Sequence, residues 1–275
     1  MTATTLAAPG RAVLPRGLGI LARQLRAELR LNVRAPEFVV PVLALPVLLY
    51  VIFGAPRATD PMPGGTVGAF IMVGFSIYGV LNVVLFAIGE AIADERGRGY
   101  LRLVRTTPLP SWAYLAGKLA LAAVLCAVIV VAIGVAGALT GVGMALDRWL
   151  AVTAVLVVGG LALAPVGFLI GFLARPHGAS AIALLLLFPL SLASGVFMPV
   201  DQLPGIVRDV AMVTPTYHLA ELARIAAGFA AGGATTGLPA APDPIRHVAV
   251  VAAWSAAGFA AVAVSYRRMV ARQFA

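Results

Sequence analysis

The chain has 275 residues, 61% of them hydrophobic and 11% charged, with a mean hydropathy of +0.99. A soluble domain carries roughly 25% charged residues, so a soluble globular fold is excluded. The net charge of +9 sits on arginines that flank apolar runs, which excludes a nucleic-acid-binding patch, and the single cysteine, Cys126, excludes a disulfide framework.

Residues 1–36 hold six arginines and no compact apolar core with a small-residue cleavage site, so no signal peptide is expected. Leu21, Leu25, Leu29 and Val33 recur every four residues, and Arg23, Arg26, Arg30 and Arg34 take other positions. This spacing predicts a basic amphipathic helix lying in the headgroup layer. Residues 1–36 therefore read as a cytoplasmic segment ahead of a membrane domain over 37–275.

Six apolar runs follow, at 38–55, 66–89, 112–139, 149–174, 179–198 and 248–266. A helix needs about 20 apolar residues to cross a bilayer core. The reading is an all-α membrane protein with six spans. The first run is short and holds Pro41 and Pro46, and Pro165 predicts a kink in the fourth. With the N-terminus inside, the cytoplasmic pieces hold 15 basic residues and the outer pieces 5. Both termini are thus expected in the cytoplasm.

The connection after the second run is unusual. Glu90, Asp94 and Glu95 stand close together, followed by Arg96 and Arg98, with the helix breakers Gly97 and Gly99 among them. Leu101, Leu103 and Val104 form a short apolar face beside Arg102 and Arg105, Pro108 turns the chain, and Trp112 and Tyr114 re-anchor it. Orientation alone requires only the arginines.

No catalytic constellation is visible. His177, His218 and His247 are dispersed, and His218 with Glu221 at i, i+3 reads as a surface pair. Gly74-Phe75-Ser76 lacks the closing glycine of a serine-nucleophile turn, since Tyr78 stands there. No phosphate-binding loop exists; the only lysine, Lys118, opens the third run and reads as a snorkelling anchor. The chain is therefore not expected to be an enzyme or to bind a cofactor or metal. A lipid-modifying enzyme would need clustered His, Asp or Glu at one membrane face. An ion-coupled carrier would need more ionisable groups within the spans, where Asn82 is the most polar deep group of the second run.

The segment 199–247 is too apolar for a plain exterior loop. Two short helices broken at Thr214-Pro215 and folding back into the outer leaflet fit it. Pro199, Pro204 and Pro215 can each simply terminate helices, and Arg224 can sit at a headgroup.

Here the sequence resembles the integral-membrane subunits of ABC-2 type transporters, with the type V exporter fold. The pattern runs from Leu187 through Ser194-Gly195-Val196 and Leu203-Pro204 to Pro215-Thr216-Tyr217-His218 and Arg224. The six spans, the amphipathic helix and the charged loop extend the likeness along nearly the whole chain. The resemblance implies a permease half-unit in a bacterial plasma membrane. It would pair with a second permease chain, identical or not, through the first and fifth spans. Two separate ATPase subunits, which bind ATP and Mg, would drive it. It implies export of a hydrophobic or amphipathic drug or lipid, with glycan or glycolipid export as the alternative. It makes the loop after the second span a coupling helix docked on the ATPase, through Glu90, Asp94, Glu95, Arg96, Gly97, Arg98, Arg102 and Pro108. Glu90 is expected to pair with an arginine of the N-terminal helix or the loop. The outer hairpin would use Pro199, Pro204, Pro215, His218, Glu221 and Arg224. Phe75, Tyr78, Asn82, Phe188, Ser191 and Ser194 are aromatic or polar groups in otherwise aliphatic spans, and are expected to line the substrate path or to serve ordinary packing.

Overall fold

The computed structural model describes residues 16–33, 40–100, 111–197, 200, 203–229 and 244–271. The alternation of long apolar runs with short connections yields a helical bundle, because in lipid each backbone polar group must be satisfied within its own segment.

Helix α1 is Arg16–Val33. A π-helical turn, Val40–Ala44, leads into α2, Leu45–Phe53. The π-helical turn runs straight into α2, so Pro46, the second residue of α2, removes one N–H donor from a continuous helical ladder. The apolar helix Val42–Arg57 is shorter than the other spans, so five helices among the described residues, and not six, have the length and composition to cross a bilayer. After it, the strands Pro61–Met62 (β1) and Gly65–Thr66 (β2) pair antiparallel. The Thr66 hydroxyl then caps α3, Val67–Asn82, by accepting from the Ala69 amide.

The second span is longer than its apolar run. It continues from α3 through a π-helical stretch, Val83–Glu90, into α4, Ala91–Gly97. It is also the centre of the bundle, with 89% of its apolar window buried. The remaining spans are α5, Ser111–Leu139; α6, Leu146–Leu173; α7, Ala179–Ala193; and α10, Pro244–Ala271. The helix of α6 continues through Pro165. It meets the second span at a crossing built on glycine. A Cβ at Gly167 would stand 2.2 Å from the Val84 carbonyl oxygen, so only hydrogen fits there.

Between α7 and α10 lie α8, Gly205–Ala211, and α9, Pro215–Ala227, two short helices separated before Pro215 as the sequence predicts. Pro204 is the N-cap residue of α8 and Pro215 opens α9. Pro199 lies outside the described residues. Helix α9 ends on Gly228, whose φ of 93° allows the Phe229 amide to reach the Arg224 carbonyl. It packs against α3, α6, α7 and α10 and is largely buried.

The leucine stripe of α1 meets protein. Leu25 and Leu29 pack against the core, and α1 lies along the start of α5, while Arg23, Arg26 and Arg30 face outward. Two residues of the stripe, Leu25 and Leu29, thus face the bundle.

Candidate functional site

Three groups of side chains stand out, and each begins with a polar or aromatic residue that an aliphatic span does not need. The first is the end of the second span, just before the 101–110 connection. Its side chains fan out to three neighbours. The Glu90 carboxylate accepts from the Ser180 hydroxyl of α7. Among the described residues it meets no arginine; Arg102 and Arg105, the loop arginines of the expected pair, lie outside the described residues. Arg96 donates to the Phe172 and Ala174 carbonyls at the end of α6. These are carbonyls that the helix itself leaves unpaired. Gly97 lies so close to the Pro176 ring that a Cβ would be 2.8 Å from it. Glu90, Arg96 and Gly97 thus grip both sides of the α6–α7 turn.

Glu95 points the other way, accepting from Tyr114 at 2.6 Å and from Lys118. Asp94 and Arg98 pair with each other at 2.8 Å on the exposed face. Gly99 adopts a φ of 77°, ending the helix where the sequence places its breakers. Burial, and then the charge of Glu95, push the Tyr100 hydroxyl above its ordinary value. Arg102 and Pro108 lie outside the described residues.

The second group is an aromatic band. Phe75 and Tyr78 are buried in α3, with ring centroids 6.4 Å apart. Phe75 also stacks on Phe53 of α2 at 6.2 Å, and Phe197, just beyond α7, stands 6.3 Å from Phe75 and 6.2 Å from Tyr78. Phe188 of α7 completes the band, 6.0 Å from Phe197. Phe53, Phe188 and Phe197 are 55%, 62% and 46% exposed, so a band rooted in the core opens on the surface between the first and fifth apolar helices. Phe53 and Phe197 were not legible as partners in the sequence, because one ends a short span and the other follows a helix. Asn82 is buried and donates to the Tyr78 carbonyl of its own helix at 2.8 Å. Ser194 likewise donates to Leu190, and the Ser191 hydroxyl is buried without a partner among the described residues.

The third group is the polar core of α9. Glu221 and Arg224 pair at 2.7 Å, both about 1% exposed. Arg224 also donates to the Ser194 and Gly195 carbonyls. Its headgroup reading is thereby overturned. The surface reading of His218 and Glu221 fails as well, since both are buried. His218 Nε2 lies 2.9 Å from the Met212 carbonyl, and its Nδ1 lies 2.8 Å from Nδ1 of His247 in α10. A carbonyl only accepts, so Nε2 of His218 carries the proton and its Nδ1 accepts from His247. That leaves His247 Nε2 buried without a partner among the described residues. Burial lowers the His218 pKa below its ordinary 6.5, against the opposing hydrogen bond to Met212.

No group of three or more metal-ligating side chains occurs among the described residues. The arrangement holds helices in fixed relation and exposes one aromatic face.

The family described as "ABC-2 family transporter protein" matches residues 56–264. The chain is also similar to YvfS of Bacillus subtilis (strain 168), provisionally named a transport permease. The two are 24% identical over 202 residues, which cover 73% of this chain and 82% of that protein. The family match spans the central second helix, the α9 polar core and the aromatic band apart from Phe53. This multi-pass helical chain belongs to the ABC-2 transporter family, whose members are the permease subunits that work with an ATPase subunit in ABC transporters.

Proposed function

We propose that the chain is the permease half-unit of an exporter in a bacterial plasma membrane, with both termini in the cytoplasm. Two permease chains pair across the α2–α7 face, and two ATPase subunits dock on the 101–110 connections. The observation that carries this reading is the bonding at the end of the second span. Glu90 and Arg96 hold the α6–α7 turn, and Glu95 holds α5, so a push on the connection reaches several spans through these bonds. Charge pairs of this kind set docking orientation and register.

The aromatic band supports a hydrophobic or amphipathic cargo, a drug or a lipid. Its exposed rings lie on the face where two permease chains would enclose a path, and apolar walls with few polar points suit such ligands.

The deciding experiment is reconstitution of the permease with its ATPase in liposomes, with ethidium and a fluorescent phospholipid as separate probes. ATP-dependent movement of either probe, with stimulated ATP hydrolysis, supports the reading. A complex containing one permease copy, or one that hydrolyses ATP without moving either class of probe, contradicts it.

A further inference from the structure

Lys118 is the chain's only lysine, and it is fully buried. Its ammonium reaches two carboxylates on two other helices, Glu28 of α1 at 2.9 Å and Glu95 of α4. Each carboxylate has a second donor. Gln24 reaches Glu28 Oε1 at 3.2 Å, and Tyr114 reaches Glu95 Oε2 at 2.6 Å. The reading of Lys118 as a snorkelling anchor is therefore replaced by a buried junction between three helices.

Packing alone does not require this junction. Leu25 and Leu29 already seat α1 on the bundle, and a buried charge pair is often no more stabilising than apolar residues of the same size. What charge adds is register. An apolar stripe can slip along an apolar helix by a turn at modest cost. The junction resists this, because a slip of α1 by one turn, about 5.4 Å, would carry the Glu28 carboxylate away from the buried Lys118 ammonium, which would keep only Glu95. The helices also touch closely beside it, since a Cβ at Gly117 would lie 2.4 Å from Gln24 Cγ.

The helices joined here border the 101–110 connection on both sides. Helix α4 closes three residues before it and α5 begins directly after it. We infer that Lys118 is a positioning residue that holds α1 in fixed register against α4 and α5, so that α1 moves as one body with the connection. This rests on the reading of the connection as the ATPase contact. The junction makes α1 part of the moving unit, and its outward Arg23, Arg26 and Arg30 travel with it.

The geometry supplies its own test. A Cβ at position 117 would stand 3.5 Å from Gln24 Cβ, within the range that a disulfide bridges. The reporter is the full chain carrying Gln24→Cys and Gly117→Cys with Cys126→Ser, oxidised in membranes without nucleotide. Fast crosslinking is expected. Adding Lys118→Met should slow it at least threefold at equal membrane abundance. Glu28→Gln, which keeps size while removing charge, should slow it in the same direction and serves if Lys118→Met is poorly made. An unchanged crosslinking rate in both variants would overturn the role of Lys118. The oxidised reporter is then assembled with the ATPase and assayed with ethidium and fluorescent phospholipid. It should keep at least half of the transport of the reduced form. Loss of transport that reductant restores would mean α1 slides against α5, which overturns the single-body inference. The crosslinking arm is read without the ATPase, so it stands apart from the docking of the connection. That docking is read by whether the ATPase copurifies with a permease altered at Gly97.

Discussion

The Arg224 guanidinium of α9 donates to the Ser194 carbonyl at the end of α7, 2.6 Å away and 30 residues earlier in the chain. The same nitrogen reaches Gly195 at 2.9 Å, and the guanidinium carbon lies 4.9 Å from the centre of the Phe70 ring. One buried cation thus closes the end of the fifth span, pairs with Glu221 and faces the second span. Arg224→Met removes the cation and leaves the Glu221 carboxylate buried alone. A loss of about 3–5 kcal/mol is expected for breaking such a pair. It should appear as low membrane abundance and a lowered unfolding midpoint in detergent. Adding Glu221→Gln should recover part of the loss; a further fall would contradict the pairing.

The His218–His247 contact makes stability depend on pH. One ring must donate to the other, so protonating both breaks the bond, and a single added proton places an N–H on His247 Nε2, which has no acceptor among the described residues. Glu221 and Arg224 on α9 and Arg246 on α10 are the charged neighbours, with Arg148 of α6 at the end of α9. The folded-state pKa of His218 is depressed, so the unfolded chain takes up its proton first as pH falls. Stability is then full above about pH 6.5 and declines below it. Unfolding midpoints measured from pH 8 to pH 5 should fall for the wild type. The slope should be shallower for His247→Asn.

Glu90→Ala removes the bond to Ser180. The cost to folding should be about 1 kcal/mol. Transport should fall more than membrane abundance does, because the second span then loses one of its ties to α7. Equal transport per inserted permease would remove Glu90 from the coupling path.

Phe188 and Phe197 test the exposed end of the aromatic band. Phe188→Ser should leave insertion intact, since the ring is mainly exposed. It should lower either transport or the yield of permease dimers on native gels. A Phe188→Cys permease with Cys126→Ser should crosslink to a second copy. Absence of both effects would place the band against lipid only.

Topology can be checked in a Cys126→Ser background. Asp60→Cys and Arg175→Cys occupy exposed positions in connections at opposite ends of the bundle. The first should react with a membrane-impermeant thiol reagent from outside and the second only after permeabilisation. The reverse pattern would invert the orientation.

The sequence by itself determined the helical membrane architecture and the family. Runs of apolar residues without charge leave a backbone in lipid no choice but to bond within its own segment, and that constraint is local. Pro215 and Gly97 mark helix ends by chemistry carried in single residues, so those boundaries were legible too. The length of the second span was not. Its charged end remains helical because Glu95 and Arg96 find partners on α5 and at the end of α6. Tertiary structure alone decided which polar groups meet. Lys118 lies 90 residues from Glu28 and 23 from Glu95, and no spacing rule links them. Arg224 looked like a headgroup residue and Lys118 like an anchor because exposure is the default for a lone charge. Each is buried because folding brought carboxylates or unpaired carbonyls to it, and a charge leaves water only where such partners are already fixed.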